Sequence, residues 1–268
     1  MNCAQVLLEG LKAMGSRRIY GVVGTSNVAF VSTLYDCKED LRYVSCRHEQ
    51  VAGSMADAEG RLTGKPGVVI THSGPGTLNA LLSVACAFKD HSPMICISGA
   101  VKRKLQGTGG QLEAEHLHVF GPFCKGVFRI ENAREAASVI SEAYRLTVSG
   151  AKGPVLIEVP EDVWGEEATE GMPEFRFVRD PNPALRIEDV KKAVDELSLD
   201  DVLLYEDDLD DALYEFNDIG LPLRITISNK ALEQNGVEVK WRHAPERFVI
   251  PLRKDGDTFT APGTTAGE

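Results

Sequence analysis

Short apolar runs, Arg18–Val23, Leu41–Cys46, Gly67–His72, Pro93–Ser98, Gly126–Ile130 and Val155–Val159, recur through the first two-thirds of the chain. Between them, Ala4–Met14, Asn27–Tyr35, Gln50–Leu62, Thr77–Phe88 and Ala133–Val148 carry apolar residues at helical spacing. Strands separated by whole helices pair in parallel, and a parallel sheet must be covered on both faces. The pattern therefore predicts an α/β fold with a mostly parallel sheet between two helical layers. In such sheets ligands collect at the carboxyl ends of the strands. The marked loops 24–27, 47–50, 73–77 and 99–111 all follow strands in this reading.

Two of these loops carry chemistry. Glu49, in Arg47-His48-Glu49-Gln50, stands where a strand hands over to a helix and meets that helix's unpaired N–H groups. The turn Ser73-Gly74-Pro75-Gly76 leads from a strand into a helix and has the local form of a phosphate cradle. It lacks the third glycine of a dinucleotide fingerprint and the GK[ST] of a P-loop, so a phosphate role is disfavoured.

Together with GVVGTSN (21–27), GRLTGKPGVVITHSGPGTLN (60–79), AFKDHSPMICISGAV (87–101) and GPVLIEVPEDV (153–163), these pieces stand in an order that resembles one family over about residues 1–165. It is the pyrimidine-binding domain of thiamine-diphosphate-dependent enzymes, of the acetolactate synthase and 2-oxo acid decarboxylase group. The resemblance implies thiamine diphosphate as cofactor and Glu49 as its activator. The Glu49 carboxyl group would hydrogen-bond the pyrimidine nitrogen N1′ and favour the tautomer in which the cofactor can be deprotonated and attack a 2-oxo acid; the cofactor does the hard chemistry and the protein places it. It also implies that Gly24, Thr25, Gly74, Pro75, Gly76 and Asn79 line the cofactor pocket. Gln111 resembles the glutamine of a substrate-facing segment, although Gly110 replaces the phenylalanine before it and Leu112 intervenes before Glu113. His72 and His91, near strand ends, are further substrate candidates, with capping or core roles as the alternative. His48 reads as a hydrogen-bonded structural histidine. His116 and His118 lie two apart without further ligands, and no metal site is expected on this chain.

Net charge of −11 argues against nucleic acid or an anionic membrane as the main partner. Cys3, Cys37, Cys46, Cys86, Cys96 and Cys124 show no CxxC spacing and read as reduced, mostly buried thiols of a cytoplasmic protein. No apolar run has the length of a membrane span.

Beyond residue 165 the character changes. Residues 166–198 read as a linker followed by an amphipathic helix, 199–254 as a small α/β module, and 255–268 as a disordered tail. Residues 200–218 hold nine acids and no Lys or Arg, whereas 219–254 hold seven Lys or Arg and three acids. Residues 202–252, above all 216–242, resemble the later half of the anticodon-binding domain of class II aminoacyl-tRNA synthetases, of the prolyl type. No synthetase catalytic domain precedes it, and seven basic residues on a small sheet suit a solvated face equally well, so tRNA is not expected as a partner. Lacking the first strand of that domain, the module needs its edge strand 222–228 covered.

The GDG motif with which the thiamine family holds magnesium and diphosphate is not found; Asp255-Gly256-Asp257 reverses it. The expectation is a pyrimidine-domain subunit of a split enzyme acting on a 2-oxo acid, working as an oligomer. A partner chain would supply the magnesium and diphosphate site. The alternatives are a truncated or rearranged fusion without turnover, or an RNA- or protein-binding adaptor that uses the C-terminal module.

Overall fold

The computed structural model describes residues 1–180 and the strands 223–226, 236–241, 247–251, 253–255 and 258–260. The chain divides into two compact units, Met1–Asn182 and Pro183–Glu268.

The first unit alternates α1 (Cys3–Ala13), β1 (Arg18–Gly21), α2 (Val28–Asp36), β2 (Arg42–Ser45), α3 (Glu49–Thr63), β3 (Gly67–Thr71), α4 (Pro75–Lys89) and β4 (Met94–Ala100). It continues through a short α5 (His116–Phe120), β5 (Gly126–Arg129), α6 (Ala136–Val148) and β6 (Pro154–Pro160). The six strands form one sheet in the order β2-β1-β3-β4-β6-β5, with every pairing parallel. All residues of β3, β4 and β6 are buried, which explains why they read as unbroken apolar runs; the outer strands β2 and β5 are only half-buried.

Two apolar layers flank the sheet. One joins Leu7, Leu8 and Leu11 of α1 with Phe30 and Leu34 of α2, Ile140 of α6 and Trp164. The other joins Ala52 and Ala56 of α3, Val84 and Ala87 of α4, and Phe120. The second layer is built on small residues, so α3 and α4 lie close to the sheet and to each other. A Cβ on Gly60 would stand 2.3 Å from the Pro93 carbonyl oxygen, and one on Gly67 would stand 1.9 Å from that of Ala56.

The stretch after β6 is rich in Glu, Pro and Gly, but up to Asp180 it does not behave as a free linker. Glu167 bridges to Asn2, Phe177 packs edge-on against Tyr144, the Ser149 hydroxyl accepts from the Asp180 N–H, and Arg145 pairs with Asp180. Phe175 and Phe177 supply the apolar contacts that hold it down.

In the second unit β7 (Leu223–Thr226), β8 (Gly236–Trp241) and β9 (Arg247–Pro251) form an antiparallel sheet in that order, and β10 (Arg253–Asp255) pairs with β11 (Thr258–Thr260). Residues 258–260, expected within a disordered tail, are thus a paired strand. The anticipated helix at 183–197 and whatever covers the free side of β7 lie outside the described residues. Among the described residues no helix is long and apolar enough to cross a membrane.

Candidate functional site

From β1 the chain steps outward to β2 and then returns past β1 to β3, so the winding reverses at the β1/β3 border. Loops leaving the carboxyl ends of these two strands diverge there and leave a crevice. The loop after β1, the β2–α3 junction and the β3–α4 turn meet at this point.

His48 is extended (φ −153°, ψ 142°) and caps α3, its Nδ1 accepting from the Gln50 N–H at 3.2 Å. That cap fixes Glu49 as the first residue of the helix, where its side chain is 8% exposed. The Asn79 amide donates to Glu49 Oε2 at 3.1 Å and is the one donor to this carboxylate among the described residues. Asn79 reaches it because Gly74 takes φ +68°, a conformation that favours glycine, and Pro75 opens α4 directly afterwards. A Cβ on Gly76 would lie 2.9 Å from Glu49 Oε1 and 3.1 Å from the His72 Cβ. The glycine therefore lets Glu49 and His72 pack directly against the α4 backbone.

His72 continues the chain of contacts. A Cβ on Gly24 would collide with its ring at 2.3 Å. The hydroxyl and backbone N–H of Ser26 both face His72 Nδ1, at 2.8 and 3.4 Å. With donors converging on Nδ1, the neutral ring carries its proton on Nε2, and burial holds the imidazole pKa below its ordinary 6.5. Ser26 Oγ also accepts from the Ser73 N–H at 2.8 Å, while the Ser26 carbonyl accepts from the Trp164 indole at 2.7 Å. Asn27 accepts from the Gly24 N–H at 2.9 Å and donates to the Val22 carbonyl at 3.0 Å, which shapes the first loop.

Gly24, His72, Gly76, Glu49 and Asn79 thus form one contact chain, with Gly74 and Pro75 as the turn that aligns it. Thr25 is exposed on the first loop, next to Gly24. Two expected residues lie apart from it. Gln111 is exposed in the loop after β4, and it is Leu112 that reaches the turn, its carbonyl accepting from the Ser73 hydroxyl at 2.8 Å. His91, expected near the cleft, follows α4 and stands exposed before the amino end of β4, away from the loops at the carboxyl ends of the strands. It has φ +52°.

Sequence reasoning passed over a second polar group. The Gly74 N–H donates to His116 Nε2 at 3.0 Å; His116 Nδ1 lies 2.6 Å from Glu158 Oε2; and Arg129 pairs with Glu158 Oε1. His116 and Glu158 are fully buried. With Ser73, Gln106 and Glu113 they border a cavity of about 100 Å³. The signal was present as a lone acid, Glu158, in an otherwise apolar strand, where an unpaired charge is not tolerated. Among the described residues no group of three or more His, Cys, Asp or Glu side chains is arranged to hold a metal ion.

The donor set fits an aminopyrimidine ring. It offers a nearly buried carboxylate with one oxygen held by an amide and the other against the Gly76 backbone. Glu49 with Gly24, Gly74, Gly76 and Asn79 would hold the ring of thiamine diphosphate, which supplies an electron sink for carbanion chemistry when bound.

Comparison with known proteins agrees. Residues 1–119 match the family model of the thiamine pyrophosphate enzyme, N-terminal TPP binding domain. The chain is 36% identical over 163 residues to a probable acetolactate synthase large subunit of Methanocaldococcus jannaschii, covering 61% of this chain and 27% of that protein. It is 34% identical over 162 residues to an acetolactate synthase of Arthrospira platensis, covering 60% and 28%. It is 35% identical over 184 residues to the oxalyl-CoA decarboxylase of Escherichia coli, covering 67% and 32%. The chain therefore spans about 27% to 32% of the length of these relatives. Strands β1–β4 and the Glu49 site fall within the matched residues 1–119, and over that stretch the chain is similar to the N-terminal TPP binding domain of the thiamine pyrophosphate enzymes.

Proposed function

We propose that this chain supplies the pyrimidine side of a thiamine-diphosphate-dependent enzyme acting on a 2-oxo acid, with a partner subunit holding magnesium and the diphosphate. The observation that carries the reading is the Glu49 carboxylate, nearly buried, tethered through Oε2 to Asn79 and bare beside Gly76 at Oε1. In this reading Oε1 faces the pyrimidine ring nitrogen and holds the shared proton there. Asn79 fixes the rotamer, Gly76 lets α4 approach Glu49, and Gly24 leaves room for the His72 imidazole. Neutral His72, its Nδ1 occupied by Ser26, has only Nε2–H left to offer the substrate side.

The surface next to Glu49 supports a partner. Val51, Met55 and Leu62 on α3, with Leu78 and Leu82 on α4, expose large apolar side chains. The two helices are neighbours, linked by the 3.0 Å contact between the Ser54 and Ser83 hydroxyls. Such a face, continuous with the site, suits the domain that would bring the diphosphate. All six cysteines are free thiols; of those expected to be buried, Cys3 and Cys96 are, Cys37, Cys46 and Cys124 are half-buried, and Cys86 is exposed. The comparisons do not support the tRNA-linked resemblance of the C-terminal module.

The test is a native purification with thiamine diphosphate and magnesium, assayed for carbon dioxide release from 2-oxo acids, comparing wild type with Glu49→Gln. A co-purifying subunit, and turnover falling by a factor of about 100 or more in the variant, is the expected result, in line with loss of a positioned proton-handling group. Equal turnover in the two proteins would sink the assignment.

A further inference from the structure

The Ser73–Gly76 turn is gripped from one side by the segment 112–116. Ser73 donates its hydroxyl proton to the Leu112 carbonyl, and the Gly74 N–H donates to His116 Nε2. Leu112 is itself held at φ +69°, a conformation that side chains with a Cβ avoid and that persists only where surrounding contacts impose it.

Hydrogen-bond geometry sets the state of the His116 ring. A backbone N–H can only donate, so Nε2 must present its lone pair, and the ring proton stands on Nδ1, directed at Glu158 Oε2. The other oxygen of Glu158 takes Arg129, whose Nη1 also donates to Gln106 at 3.3 Å. Every member of this buried chain is paired, and it terminates on one backbone amide. That amide belongs to the glycine whose left-handed conformation places Gly76 against Glu49 and Asn79 within reach of it.

We propose that His116, oriented by Glu158 and Arg129, is a positioning residue for the cofactor pocket: a neutral imidazole that fixes Gly74 and through it the Gly76–Glu49–Asn79 geometry. The inference rests on the reading of Glu49 as the pyrimidine contact. His116 touches neither the ring nor the reacting atoms. Its effect is to keep the turn in one conformation, so that the ring site is formed before the cofactor arrives. The same anchoring joins the turn to the cavity bordered by Ser73, Gln106, Glu113, Arg129 and Glu158, where Arg129 Nη1 donates to Gln106.

The experiment uses the full-length protein and two readouts, amide hydrogen exchange at Gly74 followed by NMR and binding of 4-amino-5-hydroxymethyl-2-methylpyrimidine, the ring alone. His116→Phe keeps the bulk and removes the acceptor; His116→Gln returns an oxygen acceptor; Glu158→Gln removes the charge that orients the imidazole. The expected result is that His116→Phe accelerates exchange at Gly74 and weakens ring binding by about tenfold each, the scale of one lost hydrogen bond. Exchange in β4 stays unchanged, and His116→Gln recovers most of both effects. Glu158→Gln gives an intermediate loss. The proposal is overturned if exchange at Gly74 is unaltered in His116→Phe, if it rises only together with exchange in β4, or if it rises while ring binding stays the same. Failure of the cofactor reading would look different. Ring binding indifferent to Glu49→Gln would refute that reading, and the Gly74 exchange rates would then decide the anchoring role by themselves.

Discussion

Gly76 sets how closely α4 approaches Glu49, and one methyl group is enough to disturb it. Gly76→Ala would force the carboxylate or the His72 side chain aside, since its Cβ would stand 2.9 Å from Glu49 Oε1. The expected cost is about 1–3 kcal/mol in stability. Cofactor affinity falls as well, both measured by urea unfolding and by titration with thiamine diphosphate. Asn79→Ala removes the hydrogen bond that the Glu49 carboxylate accepts from this amide; a loss of about 1 kcal/mol and a marked fall in turnover are expected. His72 adds a pH dependence with a definite sign. Burial lowers its folded pKa below 6.5, so the unfolded chain binds the proton more readily. The stabilisation is present above that value and is lost as pH falls through the folded pKa. Urea midpoints measured on both sides of that range should decline toward acid, and the decline should be shallower in His72→Gln.

At the scale of elements, α3 and α4 are organised by absent side chains more than by large ones. Gly53 of α3 faces Ser83 of α4, where a Cβ would stand 2.7 Å from that of Ser83, and Gly60 faces the Pro93 carbonyl. The Gly53–Ser83 contact draws the N-terminal half of α3, which begins at Glu49, toward α4, which carries Asn79. Gly60→Ala would push α3 off the sheet, with an expected cost of about 1–3 kcal/mol, checked by chemical unfolding. A weaker Glu49–Asn79 contact should follow, seen as reduced cofactor affinity. A control at exposed Gln50 should leave unfolding within about 0.5 kcal/mol of wild type.

For the whole molecule, the exposed apolar face of α3 and α4 is the feature most in need of a partner. If the diphosphate-bearing subunit docks there, Met55→Glu combined with Leu82→Glu should shift the native assembly to a smaller species in sedimentation and abolish turnover. The unfolding midpoint of the isolated chain should not change. An assembly of unchanged size would place the partner elsewhere.

The amino-acid sequence by itself determined the α/β class and the six strands to within two residues at each end, while the family resemblance implied that Glu49, Gly74, Gly76 and Asn79 belong together. Apolar periodicity and turn-forming glycines are local properties, and each strand and helix states its own. The tertiary structure decided what depends on two distant segments meeting. It placed His91 before the amino end of β4, away from the loops at the carboxyl ends of the strands. It set the Leu112 carbonyl rather than Gln111 against the turn, because segment 112–116 and the β3–α4 turn meet only in the folded chain. It joined Gly74, His116, Glu158 and Arg129 across 84 positions of sequence, because only the parallel sheet brings the ends of β3, β5 and β6 together.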